Sequence, residues 1–430
     1  MRSCNFTWFF CLAFLGLQAV AESPRSPDVV LISLDGLRPE FCWDESWPAP
    51  CLQSLRRRGA AARTLLPVFP SITYANHASL ATGVSPATHG IDCNVDFDWE
   101  TGPKPGWNWE ASKLKAPALW QLAEAKGLSC AAFSWPVSLG AAMAANIPEV
   151  FHVPGANQGT TESLIRQAST PGLIDEIQGQ HPGAFPVTFA EWDAWLPSAV
   201  HHVWRTRRPR LTLIHMLNLD WVQHRFGPSA NETRQALAQL DRDLERLIAP
   251  LDLSQTVLMV VGDHGFLEVE KTLSLNRLFL DQGWIRMSGD RIESWKVLAR
   301  TNGGSAAILC KSPELMPKVE AVLLSHAGDR YQILTGAELE KRRTFVGARL
   351  AVSARPGYAF TASPQAVFEV ETPRKLGQHG HLPELVPTTW VMVGPGIPVG
   401  RELGERKLLE VAPTIARFLK LDTQTMECPA

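Results

Sequence analysis

Four short apolar runs organise the chain: "DVVLISLDG" (28–36), "LTLIHMLNLD" (211–220), "TVLMVVGDHG" (256–265) and "TTWVMVGPGI" (388–397). They are rich in Val, Ile, Leu and Met and lack a clean polar alternation, which predicts strands buried on both faces, as in a parallel sheet. Between them lie segments with helical spacing. "APALWQLAEAKG" (116–127) is one; "NETRQALAQLDRDLERLIAPL" (231–251) is another, with Leu237, Leu240, Leu244 and Leu247 on one face. Alternation of strand and helix over this length predicts an α/β core with a mostly parallel sheet flanked by helices. From about Leu267 to Gly377 the rhythm changes to short mixed segments such as "ARTNGGSAAILC" and "GARLAVSARPGYAF". That stretch predicts a smaller α+β lobe inserted before the last core strand. The expected division is a core of residues 22–266 and 378–430 and a lobe of residues 267–377.

The N-terminus departs from both patterns. "MRSCNFTWFFCLAFLGLQAVAES" carries Arg2, an apolar stretch from about Trp8 to Leu17, and the small-residue pattern Ala19-Val20-Ala21. This predicts a signal peptide, residues 1–21, cleaved before Glu22, and hence a secreted or periplasmic protein. The apolar run is short for a bilayer span, and no later segment is long and apolar enough to make one. Of eight cysteines, six remain after residue 21, none in a CxxC pair, so a cysteine-based zinc site is not expected. Cys42 and Cys51 are close enough in sequence to pair. A net charge of −2 argues for neither a nucleic-acid-binding surface nor a solvating acidic tail.

Candidate chemistry gathers where the predicted strands end. The first run closes on Asp35, the second on Asp220 with His224 four residues on, and the third on Asp263-His264. "GQHGH" (377–381) precedes the last run and supplies His379. Ligands of open α/β sheets collect at the carboxyl ends of strands. Asp220 and His224 share a face on a helical turn and can hold one cation. A mixed Asp/His set favours zinc or a similar ion over magnesium. Each residue has a bland alternative: a turn for Asp35-Gly36 and for Asp263-His264-Gly265, a helix cap for Asp220, a loop histidine for His379. Their joint position at strand ends predicts a metal site instead. His77 is expected to pack or hydrogen-bond, His89 to fix a glycine turn, and His201, His202 and His215 to be surface or core residues. Asn231, in "NET", fits a glycosylation sequon and equally a helix cap.

The ordered set "LISLDG", "SITYANHASLATGVSPATHGI", "NLDWVQHRFGP", "GDHG" and "GQHG" resembles the type I phosphodiesterase/nucleotide pyrophosphatase family of the alkaline phosphatase superfamily. The resemblance runs from about Asp28 to Ile415 and implies an alkaline-phosphatase-like core. It implies two zinc ions, one held by Asp35, Thr73, Asp263 and His264, the other by Asp220, His224 and His379. It casts Thr73 as the nucleophile that forms a phospho-threonine, hydrolysed in turn by a metal-activated water, and Asn94 as a donor to the phosphate. Metal coordination would activate an otherwise weak hydroxyl, and an amide donor would stabilise charge on the transferring group.

At the nucleophile the sequence reads Thr73-Tyr74-Ala75-Asn76-His77, where members commonly have Thr-Phe-Pro-Asn-His. Tyr74 either keeps a face for stacking on a nucleobase or merely lines the cleft; Trp192 and Trp195 are loose candidates for a second stacking ring. "FSWPVSLGAAM" (133–143), loosely aligned with the segment where monoesterase relatives place Lys and Arg, has neither, which favours a singly charged diester. The Cys-x-Pro-x-Arg context of sulfatases is absent. The expectation is an exported two-zinc phosphodiesterase/nucleotide pyrophosphatase acting on a small phosphodiester or nucleotide. A phosphomonoesterase or phosphonate hydrolase of the same superfamily is the near alternative. A phosphoryl transferase using the same phospho-threonine, or a non-catalytic metal- or phosphate-binding protein, is more distant.

Overall fold

The computed structural model describes residues 25–429 apart from Pro182; the expected signal peptide lies outside the described residues. Nine strands build the main sheet: β1 (Asp28–Leu34), β2 (Ala60–Leu66), β3 (Cys130–Phe133), β4 (Ala145–Ile147), β5 (Leu211–Met216), β6 (Thr256–Gly262), β7 (Thr388–Val393), β8 (Arg401–Glu402) and β9 (Arg406–Lys407). Their spatial order is β8–β2–β7–β6–β1–β5–β3–β4, with β9 also on β2. Each of the four apolar runs forms one of these strands. The strands are buried on both faces because successive side chains point to opposite sides. Val30, Ile32 and Leu34 enter one apolar cluster, while Val29 and Leu31 enter the other.

Helices cover the two faces. On one lie α2 (Phe189–Arg207) and α4 (Asn231–Ile248), the latter burying Leu237, Leu240, Leu244 and Leu247 as its spacing predicts. The other face carries α5 (Val411–Leu419) and the C-terminal end of α1 (Thr73–Thr82), through Leu80 and Ala81. The helix expected over 116–127 is shorter, Leu119–Glu124, and Gly127 at φ 70° follows it. Asn231 opens α4 exposed and makes no capping hydrogen bond, while the Thr233 hydroxyl donates to the Gly227 carbonyl at 2.7 Å. Cys42 and Cys51 are free thiols, both pushed up to about 12 by burial.

Two expectations need correction. The last run is not parallel: β7 pairs antiparallel with both β6 and β2. Chain direction explains this. β6 leaves the sheet at Gly262, the chain makes its excursion from that edge and returns to the same edge, so β7 must run back down. Asp220 is likewise not at a strand end. β5 stops at Met216, and Asp220 sits in the first turn of α3 (Asn218–Phe226). That helix starts early because the buried Asp193 carboxylate of α2 accepts the N–H groups of Leu217 and Asn218, both at 2.9 Å.

Residues between β6 and β7 stay off the main sheet. Leu267–Leu273 pairs with Gly357–Phe360 and Glu369–Gln378. Val297–Thr301, Ser305–Cys310, Leu350–Ala354 and Tyr331–Thr335 form a separate antiparallel sheet. Phe279, Leu298, Ile308, Leu323 and Val352 belong to a buried cluster of its own, which Phe69 joins from outside this stretch.

Candidate active site

Register places the first ligand candidates. Leu34 lies opposite both Met216 and Gly262, so β1, β5 and β6 end level and Asp35, Asp263 and the start of α3 meet at one edge. The turn after β1 is tight: Gly36 (φ 72°) donates its N–H to Asp263 Oδ1 at 3.1 Å. A Cβ there would meet the Phe266 ring at 2.6 Å, so only glycine brings the two aspartates together.

The histidines share one orientation. Nδ1 of His224, His264 and His379 faces the carbonyls of Gly377, Gly265 and Ser71 at 3.1, 3.3 and 3.1 Å. Each Nε2 is thereby directed inward, the arrangement in which a backbone partner fixes the tautomer of a ligating imidazole. His264 Nε2 lies 3.2 Å from Asp263 Oδ2, 3.4 Å from Asp35 Oδ1 and 3.3 Å from Thr73 Oγ1. Asp220 Oδ1 lies 3.4 Å from His224 Nε2 and 3.6 Å from His379 Nε2. Two compact donor sets result, Asp35–Asp263–His264 and Asp220–His264–His379, with donor atoms within 4.8 Å of one another. His264 belongs to both and its ring stacks on His379 at 3.7 Å. His224 flanks the second set and is 31% exposed, with Asp220 at 18%, so the site opens to solvent along α3.

The charge distribution suits cations. Asp35 Oδ1, Asp220 Oδ1 and Asp263 Oδ2 are buried and accept no hydrogen bond among the described residues. Leaving such oxygens bare in a dry pocket is costly without a positive partner. Burial, then repulsion from Asp220 and Asp263, lifts the Asp35 carboxyl well above its ordinary range; burial raises Asp220 and brings Asp263 to about 7. Burial, then the neighbouring imidazoles, pushes His264 and His379 well below the usual histidine range, so both keep a lone pair free. Bare carboxylate oxygens beside neutral imidazole nitrogens form a donor set that fits zinc.

Thr73 begins α1 and is buried beside His264, with its hydroxyl at a helix N-terminus that favours a phosphate. Asn94 accepts the Tyr74 N–H on Oδ1 at 3.0 Å, which leaves its amide NH₂ to donate. Asn76 is consumed locally: Oδ1 takes the Val68 N–H and Nδ2 donates to the Ile72 carbonyl. His77 packs against Trp135 and bonds the Thr73 carbonyl at 2.8 Å. His89 holds its turn by accepting the Ile91 N–H.

Tyr74 does not offer a stacking face. It is fully buried, packs edge-on against Trp107 and donates its hydroxyl to Glu149 Oε1 at 3.0 Å. Trp192 and Trp195 do not serve as stacking candidates either: they pack together in the core, with the Trp192 indole on Ser134 Oγ.

Sequence reading missed three residues here. His215, expected to be a surface or core residue, is buried with its Nε2 3.1 Å from Asp35 Oδ2 and its Nδ1 3.0 Å from Glu149 Oε2. Glu149 and Asp193 carried no signal beyond being acids in apolar surroundings. From the stretch between β6 and β7, Arg300 pairs with Asp92 at 2.7 Å, Asn302 bonds the Asp92 carbonyl, and Gly304 donates to the His379 carbonyl. Asp92, two residues before Asn94, and His379 are thus both held from that side.

Comparison with known proteins places this geometry. Residues 29–382 match the sequence profile of the family described as type I phosphodiesterase/nucleotide pyrophosphatase. Venom phosphodiesterase 2 of Crotalus adamanteus is 26% identical over 275 residues, covering 60% of this chain and 29% of that protein. Human ectonucleotide pyrophosphatase/phosphodiesterase family member 1 is 24% identical over 276 residues, covering 60% and 26%. The matched stretch thus spans less than a third of these curated relatives. The solved structure of murine ectonucleotide pyrophosphatase/phosphodiesterase 5 superposes with a TM-score of 0.67 at 18% identity, covering 94% of this chain and 97% of that one. Another structure of the murine protein is an inactive threonine-to-alanine variant in complex with AMP. The fold is therefore of the alkaline-phosphatase-like kind, and the chain belongs to the type I phosphodiesterase/nucleotide pyrophosphatase family.

Proposed function

We propose that this protein is a two-zinc phosphodiesterase/nucleotide pyrophosphatase that cleaves a small phosphodiester or pyrophosphate through a phospho-threonine on Thr73. The observation that carries this reading is the Thr73 hydroxyl at the start of α1, 3.3 Å from a histidine shared by two carboxylate–imidazole donor sets. Asp35, Thr73, Asp263 and His264 would hold one cation; Asp220, His224 and His379 would hold the other, with His264 at the boundary. When bound, the cations would lower the pKa of the Thr73 hydroxyl and neutralise charge on the phosphoryl oxygens.

The chain's own groups account for the rest. Thr73 Oγ attacks phosphorus, the P–O bond to the leaving group breaks, and water later cleaves the threonine ester to release the product. The helix N-terminus orients the phosphoryl group, and the Asn94 amide donates to a non-bridging oxygen. A diester is favoured over a monoester because residues 133–143, the segment loosely aligned with the one where monoesterase relatives place Lys and Arg, hold neither to meet a second negative charge. We read residues 267–377 as an inserted lobe that braces the site. Export rests on the N-terminal segment; no helix among the described residues is long and apolar enough to cross a membrane.

The test is a panel of a bis-aryl phosphodiester and its monoester, nucleotides, nucleotide-sugars, dinucleotides and lipid head-group diesters, run with zinc content measured. Diester turnover above monoester turnover by about 10²-fold or more supports the proposal. Monoester turnover in that excess would reassign the protein to the phosphomonoesterases. Two bound zincs with no hydrolysis would make it a binding protein.

A further inference from the structure

A chain of buried polar side chains runs behind the donor sets. Tyr74 Oη donates to Glu149 Oε1 at 3.0 Å, His215 Nδ1 meets Glu149 Oε2 at 3.0 Å, and His215 Nε2 meets Asp35 Oδ2 at 3.1 Å. All four residues are buried, and they come from four places in the sequence: α1, the segment after β4, β5 and the turn after β1. Such a network is expensive to keep out of water unless every member is satisfied. The geometry assigns it a task. Asp35 Oδ2 is committed to His215, while Oδ1 accepts no hydrogen bond and faces His264. One oxygen is anchored from behind and the other is left pointing into the donor set.

Sheet register makes this possible. His215 sits opposite Ser33 on the neighbouring strand, and Asp35, two residues beyond Ser33, falls on the same face. Both His215 nitrogens face oxygen acceptors, so the ring is fixed in position and in orientation. Ser134, at φ 53°, also turns its carbonyl toward His215 Nδ1 at 3.2 Å. Tyr74, the residue next to Thr73, ties the far end of the network to the start of α1.

We propose that Glu149 and His215, with the Tyr74 hydroxyl behind them, are positioning residues that fix the Asp35 carboxylate for cation binding and hold it in register with Thr73. This inference rests on the metal-site reading above and adds to it a role for residues that touch neither cation nor substrate. It also explains why Tyr74 is turned into the core: its hydroxyl is spent on Glu149.

The experiment measures zinc affinity by chelator competition on full-length protein, alongside melting of the chelated form, for His215→Phe, Glu149→Ala, Glu149→Gln and Tyr74→Phe. His215→Phe and Glu149→Ala are expected to weaken one of the two cations by ~10–100-fold, the usual effect of removing a partner behind a ligand. Tyr74→Phe is expected to give a shift of a few-fold. kcat should fall with affinity for the weakened cation and recover at high zinc. Affinity within two-fold of wild type in the folded variants would overturn the proposal. So would a lowered melting temperature of the chelated form with the affinity of the folded fraction unchanged, which marks a purely structural role. If His215→Phe does not fold, Glu149→Gln and Tyr74→Phe decide by the same readout. Wild-type protein that binds no zinc at all would instead sink the metal-site reading itself.

Discussion

Stripping the cations should cost the protein more stability the higher the pH. Without them three buried carboxylates crowd one edge of the sheet, and Asp263 titrates at about 7 in the fold against an ordinary 3.8. A carboxyl raised on folding adds stability that is fully present below the unfolded value and is lost as pH climbs through the folded one. For Asp263 alone the loss between about pH 4 and about pH 7.5 is ~4 kcal/mol. Asp35 and Asp220 are shifted the same way and add to it. Bound cations remove this loss. They hold the carboxylates ionised, so that contribution is flat above about pH 5, with a further increment from ligand binding to the native state. His264 and His379, held neutral in the fold, gain stability as pH rises with or without the cations and drop out of the comparison. Urea unfolding followed by circular dichroism, with and without chelator, reads both profiles. The gap between the zinc-loaded and the chelated protein should widen by about 4 kcal/mol or more from about pH 4 to about pH 7.5. Parallel profiles would refute the reasoning, because the crowding would then be relieved by something other than a cation.

Other perturbations separate the roles of single residues. Asn94→Asp keeps the acceptor for the Tyr74 N–H but removes the amide donor, and should lower kcat for a diester by ~10²–10³-fold at unchanged melting temperature. Asp193→Ala strands two N–H groups at the start of α3 and should cost ~2–4 kcal/mol in urea unfolding, with weaker zinc binding because Asp220 and His224 ride on that helix. Gly304→Ala puts a Cβ 2.2 Å from His381 Nδ1 and should cost ~1–3 kcal/mol while disturbing His379; unchanged zinc affinity there would mean the bracing does not reach the ligand.

The sheet and the first tier of the site were legible because each rests on a local pattern. Apolar runs ending in Asp or Asp-His mark strand and site together, and Asp35 and Asp263 each come within 3.4 Å of His264. What was not legible depends on partners distant in sequence. A fully buried strand reads alike in both directions, so β7 gave no sign of its polarity. His215 looks like one polar residue in "LTLIHM"; its meaning lies in Glu149, 66 residues away, and Asp35, 180 residues away. Tyr74 was open to stacking or lining, and only the Glu149 oxygen within reach of its hydroxyl turns it inward. Asp193 is invisible for the same reason: it caps a helix that starts 25 residues later.

The role of Thr73 is tested most directly by diester turnover of the zinc-loaded Thr73→Ala variant, with wild type as reference and zinc content measured on both. A loss of at least ~10³-fold in kcat, with the fold intact and most of the zinc retained, is the expected result. Turnover within a few-fold of wild type at full zinc occupancy would contradict a nucleophilic Thr73, and with it the phospho-threonine route.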